Sequence, residues 1–193
     1  MERVMVVGPF NSTMREALQA AFPPSFQLEY LTSYEEYGQL KNADYIILRT
    51  LELKREALEG LKRCKLIQRW GVGYDSVDIQ AAGARGIGVA VTAGINATPV
   101  SEMALALTLA VYRNLVPMTN RIMEGVWDRE AFSKRSFTIS GKRVGVFGMG
   151  QIGQKVAALC RAFGAEVIYY DPYPLSQKRE QELGITRCDW KTI

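Results

Sequence analysis

Residues 141–173 read GKRVGVFGMGQIGQKVAALCRAFGAEVIYYDPY, and this stretch decides the fold. Val144, Val146 and Phe147 form a short β-prone run. The chain then bends through Gly148-Met149-Gly150-Gln151-Ile152-Gly153 into a helical pattern. Its apolar residues, Ile152, Val156, Leu159, Cys160 and Phe163, fall on one face of an α-helix. Gly164 stands where a glycine ends a helix in the left-handed conformation. Val167 to Tyr170 give the next strand, with Asp171 at its carboxyl end. Gly148 permits the tight strand-to-helix turn, Gly150 lets a pyrophosphate approach the backbone, and Gly153 lets the helix pack on the strand. The helix N-terminus offers free N–H groups to phosphates. Asp171 lies 18 residues beyond Gly153, where a carboxylate can accept both ribose hydroxyls of an adenosine. The pattern predicts a dinucleotide site, and a carboxylate that repels a 2′-phosphate favours NAD over NADP.

Working outward, residues 1–98 alternate short apolar runs with helical segments. Strands are expected at 4–7, 26–31, 45–48, 66–67 and 87–91. Helices are expected after Asn11, around Leu58 and Leu61, and over 77–84. Such alternation argues for a parallel sheet with helices on both faces. In sheets of this kind ligands bind beyond the carboxyl ends of the strands. Arg49 follows the third strand, and Arg69-Trp70-Gly71-Val72-Gly73-Tyr74-Asp75 follows the fourth. A Gly-x-Gly turn there can aim successive N–H groups at an anion. With two arginines nearby, the spacing fits either a small carboxylate or phosphate ligand, or arginines paired locally beside a glycine turn.

Thr98-Pro99 is expected to start a helix as N-cap and first residue. From Val100 to Leu115 that helix is apolar on nearly every face, which suits burial inside a domain or across a subunit interface. Residues 118–141 read as a more polar connector anchored by Trp127 and Phe132. After Tyr170, a helix is expected over 177–183, a strand over 185–188 and the start of another helix over 189–193. That makes one βαβαβ half of a dinucleotide fold, whose full form has two. The chain is therefore expected to be truncated. The expected domains are 1–98 for substrate and 99–193 for the crossing helix and an incomplete NAD-binding domain.

Composition narrows the function. With 48% apolar and 23% charged residues, the chain suits a soluble globular protein. No apolar run approaches a membrane span, and no signal peptide is visible, so a cytoplasmic location is expected. Cys64, Cys160 and Cys188 are scattered and lack metal-ligand spacing. The net charge of +4 arises wholly in residues 99–193, with 13 basic against 9 acidic side chains. It is too dilute for a nucleic-acid footprint. There is no histidine, so no histidine of this chain can serve as acid, base or metal ligand.

Gly71-Val72-Gly73-Tyr74-Asp75-Ser76-Val77-Asp78 resembles the G-x-G-x-D-x-[IV]-D segment of the D-isomer-specific 2-hydroxyacid dehydrogenases. Asn96 to Glu102, leading through the apolar helix to Arg113-Asn114, resembles their domain-crossing helix, and Gly148 to Pro172 resembles their NAD signature. Within the family, Arg49, Arg69 and the Gly71 loop look closest to the D-3-phosphoglycerate dehydrogenase branch. The resemblance implies a flavodoxin-like substrate domain and the first half of a Rossmann domain, with catalysis in the cleft. Hydride would pass between NAD and C2 of a small-molecule 2-hydroxy or 2-oxo acid. The N–H groups of Val72 and Gly73 would hold the substrate carboxylate, with Val72 also beside the nicotinamide. Gln151 and Ile152 would give backbone contacts to the pyrophosphate, and Asp171 would hold the adenine ribose. Arg49 and Arg69 would meet a substrate phosphate. The family's catalytic arginine and its His–Glu pair would lie beyond Ile193, so residues 1–193 are expected to be inactive alone. A homodimer through the 99–115 helix is expected. The alternative is a non-catalytic NAD-sensing protein like the C-terminal-binding-protein corepressors, which share a run similar to Tyr170-Asp171-Pro172-Tyr173.

Overall fold

The structure is a computed structural model that describes residues 1–193. It divides into two compact units, Met1–Ile95 and Asn96–Ile193.

The first unit carries strands β1 (Glu2–Val7), β2 (Phe26–Leu31), β3 (Tyr45–Leu48), β4 (Leu66–Arg69) and β5 (Gly88–Ala90). They form one sheet in the order β2-β1-β3-β4-β5, parallel throughout. This is the doubly wound order of flavodoxin-like domains. Side chains alternate along β1, as the pleat requires. Met5 and Val7 enter one core with Leu31, Ile46, Leu48 and Ile67, whereas Val4 and Val6 enter a second with Phe10, Leu18 and Ile47. Helix α1 (Ser12–Ala21) is capped by Asn11, whose side chain accepts from the Met14 N–H at 2.9 Å. Short helices α2 (Arg55–Glu59) and α3 (Ile79–Gly83) complete the layers. A 3₁₀ helix over Tyr34–Asn42 has no counterpart in the sequence reading. Asp44, 4% exposed, is the polar anchor of this unit. It accepts from the Arg3 N–H at 2.9 Å and from both Nε and Nη2 of Arg63.

The second unit begins with α4 (Ala97–Tyr112) and α5 (Leu115–Met123). Asn96, rather than Thr98, is the α4 cap, and Pro99 lies inside the first turn. A proline is tolerated there because first-turn N–H groups lack intrahelical acceptors. Within its own unit, only one side of α4 is buried. Leu105, Leu109 and Tyr112 pack on the unit's core, but Met103, Leu107 and Val111 are 58%, 59% and 74% exposed. Asn114, in the left-handed conformation at φ 51°, breaks α4 from α5, so part of the expected connector is helical.

Strands β6 (Arg143–Phe147), β7 (Glu166–Tyr170) and β8 (Thr186–Arg187) form a parallel sheet in that order. Between them run α6 (Gln151–Ala162) and α7 (Gln177–Leu183). The sheet, α4 and α6 enclose one core that includes Val146, Met149, Ala157, Cys160, Val167 and Tyr169. Residues 190–192 form a turn, closed by a Thr192 N–H to Asp189 C=O bond of 2.9 Å, not the start of a helix. No helix is long and apolar enough to cross a membrane.

Candidate functional site

In the second unit the site grows from the turn between β6 and α6. Gly148 adopts φ +88°, closed to most L side chains, and its N–H bonds the Tyr170 carbonyl at 2.9 Å. Gly153 is sterically obligatory in another way. A Cβ there would land on the Gly148 carbonyl oxygen, so only glycine lets α6 close on the turn. Around Gly148 and Gly150, by contrast, an added Cβ meets nothing within 4 Å. These two line open space above the helix terminus. Gly150 is the α6 N-cap and has no side chain to satisfy the first amides. The N–H groups of Gln151, Ile152 and Gly153 therefore point out without intrahelical acceptors, at the positive end of a helix with no acid in its first turn.

Asp171 stands at the end of β7, facing this turn. Its Oδ2 accepts from the Met149 N–H at 2.6 Å and its Oδ1 from the Tyr173 N–H at 2.7 Å. Those bonds, the Met149 one first, hold its carboxyl below the usual carboxylate range. Each carboxylate oxygen keeps a further acceptor position. The residues present thus fit NAD: open glycines and free amides for a pyrophosphate, and an ionised acceptor for ribose hydroxyls. Sequence reasoning missed Gln154, whose Nε2 donates to the Met149 carbonyl at 3.1 Å and whose Oε1 accepts from Arg179 Nε at 3.0 Å. No periodicity marks it, since the bond depends on how the turn folds back.

In the first unit the expected residues lie at the carboxyl ends of β3 and β4, with Arg69 the last residue of β4 itself. Gly71 adopts φ +152° with open space beside it, and its carbonyl accepts from the Thr92 N–H at 2.8 Å. Val72 is 41% exposed. The amides of Val72 and Gly73 donate to no protein acceptor. Arg69 closes the turn from within: Nε donates to the Gly73 carbonyl at 3.0 Å and Nη1 to the Leu48 carbonyl at 2.9 Å. Arg49 donates to the Pro9 carbonyl and lies 5.8 Å from the Phe10 ring centre. Trp70 packs edge-on against the same ring at 5.3 Å. Asp78, at the end of the Gly71–Asp78 motif, caps α3 by accepting from the Ala81 N–H at 2.8 Å. Chemically, this turn leaves two neighbouring amide donors free for an anion, with the Arg69 guanidinium bracing the turn.

Known proteins share both halves of this architecture. Residues 105–193 match the family model described as D-isomer specific 2-hydroxyacid dehydrogenase, NAD binding domain. The chain is 32% identical to hydroxypyruvate reductase of Thermotoga maritima, over 99% of its own length and 61% of that protein's. It is 36% identical to D-3-phosphoglycerate dehydrogenase of Archaeoglobus fulgidus, over 99% of its own length and 36% of that protein's. Among solved structures it superposes on apo D-mandelate dehydrogenase of Rhodotorula graminis with a TM-score of 0.81 and 25% identity, covering 97% of this chain and 61% of that one. On the PH0520 protein of Pyrococcus horikoshii OT3 the TM-score is 0.77 at 28% identity, covering 100% and 59%. The chain thus spans less than two thirds of each of these relatives.

Proposed function

Because this chain belongs to the family of D-isomer-specific 2-hydroxyacid dehydrogenases, we propose that it is part of an NAD-dependent oxidoreductase acting on a D-2-hydroxy or 2-oxo acid. When bound, NAD supplies the hydride acceptor. The 2-hydroxy acid loses hydride from C2 and a proton from its hydroxyl, giving the 2-oxo acid, NADH and a proton. The residues of this chain bind and orient. Val72 and Gly73 donate their amides to the substrate carboxylate, and Arg69 fixes the turn that aims them. Gln151 and Ile152 donate to the pyrophosphate across the open faces of Gly148 and Gly150. Asp171 accepts the ribose hydroxyls.

The observation that carries this reading is Asp171, ionised and locked by the Met149 and Tyr173 amides beside a helix terminus with free N–H groups. Fluorescence titration tests it. NADH binds more tightly than NADPH, because a 2′-phosphate meets the Asp171 carboxylate; equal affinities overturn the assignment. A phosphorylated substrate of the phosphoglycerate type fits the matches to D-3-phosphoglycerate dehydrogenases, with Arg49 and Arg69 as the residues proposed to meet its phosphate. The alcohol proton needs a base poised near neutral pH, and the 193 residues contain no histidine. Without a histidine base, the 193-residue chain alone is expected to bind cofactor without turnover. Oxidation of D-phosphoglycerate by this polypeptide and NAD at an ordinary enzymatic rate would contradict that. The exposed α4 stripe of Met103, Leu107 and Val111 supports a homodimer through this helix.

A further inference from the structure

Tyr169, on β7, is fully buried in the core, yet its hydroxyl reaches past the strand to the loop and helix that follow. It accepts from the Leu175 N–H at 3.1 Å and donates to Glu180 Oε1 at 2.6 Å. Both partners lie beyond Asp171: Leu175 closes the loop that Asp171 opens, and Glu180 sits in the first turn of α7. The same loop is held at its start, where Asp171 Oδ1 accepts from the Tyr173 N–H at 2.7 Å. At its end Ser176 caps α7, accepting from the Arg179 N–H at 3.3 Å. One buried hydroxyl thus joins the loop's exit to α7, two residues along the strand from the carboxylate at its entrance.

We propose that Tyr169 and Glu180 are positioning residues that fix the 171–176 loop, and through it the Asp171 carboxylate, for the adenosine end of the dinucleotide. The inference rests on the reading of Gly148 to Asp171 as the NAD cradle. Filling the core would not require the hydroxyl, because a phenylalanine ring occupies nearly the same volume. A phenol placed only for packing would carry the cost of burying a polar group. Here that cost is offset by one bond to the loop backbone and one to an ionisable side chain on the next helix. The geometry matters because Asp171 can accept ribose hydroxyls only from the lone pairs that its amide bonds leave free. One of those bonds, from the Tyr173 N–H, depends on where residues 173–175 lie.

The test measures binding and folding separately on the 193-residue chain. ADP-ribose and NADH affinities come from calorimetry and fluorescence, and the folded fraction from urea unfolding followed by circular dichroism. Tyr169→Phe, still folded under assay conditions, is expected to weaken both ligands about fivefold or more, the loss of one such bond. Glu180→Gln keeps an acceptor for the phenol and is expected to bind within about twofold of the parent. Glu180→Ala removes it and is expected to behave as Tyr169→Phe, and it carries the test if that variant does not fold. A lower unfolding midpoint with unchanged ligand affinity in Tyr169→Phe or Glu180→Ala overturns the proposal and leaves these groups a purely structural role. If the parent chain binds neither ADP-ribose nor NADH, the cradle reading falls first and this proposal with it.

Discussion

At the scale of single residues, the chain separates side chains that hold the fold from side chains proposed to meet a ligand. Asp44 belongs to the first kind. The Arg3 amide, with Arg63 beside it, holds its carboxyl below the usual range. A depressed folded-state value means the stabilisation is complete above the unfolded-state value of about 4 and is lost as pH falls through the lower, folded one. Asp44→Ala should therefore lower stability by about 2–3 kcal/mol at neutral pH, measured by urea unfolding, and flatten the acid limb of the stability profile. Asp171 belongs to the second kind. Asp171→Ser should narrow the preference for NADH over NADPH in a fluorescence titration, because the repelling charge is gone. Its place just past the end of β7, beside the glycine turn, was legible from position alone, while its grip on Met149 and Tyr173 was not. Arg69 was legible only as a charge near a glycine turn. That two of its nitrogens reach the Gly73 and Leu48 carbonyls depends on how β3 and β4 lie together, which one strand's sequence does not encode.

At the scale of elements, the glycine turn allows packing and binding to be separated by two conservative changes. Gly153→Ala places a methyl on the Gly148 carbonyl and should cost about 1–3 kcal/mol by overpacking. Gly150→Ala meets nothing in the protein, at an ordinary φ of −73°, so it avoids the clash and should cost only the loss of a good N-cap residue, about 0.5–1 kcal/mol. It should nonetheless weaken NADH binding about tenfold or more, as amide bonds to a charged phosphate are blocked. Urea curves and NADH titrations on the same two variants check both statements. Strands β2 and β3 and helix α7 were legible to their ends, because apolar runs and turn residues bound them on both sides. Helix α5 was not. Its start depends on Asn114 entering the left-handed region, a backbone choice that the polar residues after Met118 disguised. The helix expected over 77–84 begins late for a similar local reason. Val77 forms a bridge with Leu53, and Asp78 then caps α3 at Ile79.

At the scale of the molecule, α4 is apolar on opposite sides, and only the side carrying Leu105, Leu109 and Tyr112 is used within its own unit. The other, with Met103, Leu107 and Val111, is what a subunit contact would cover. Leu107→Glu combined with Val111→Glu should convert a dimer to a monomer in sedimentation velocity while leaving the circular dichroism spectrum in place. The cores carry a different consequence. The first unit buries both faces of a five-stranded sheet in two clusters, and the second builds around three strands and a single cluster. A unit with its own core melts as its own cooperative block. A scanning calorimeter should therefore record two endotherms, the cooler one from residues 96–193. Saturating ADP-ribose, which lacks the nicotinamide expected beside Val72, at about 100 times its dissociation constant adds about 2.7 kcal/mol to that block alone. The cooler endotherm then climbs toward the hotter one, which stays where it was, so the thermogram itself reports which half of the chain holds the nucleotide.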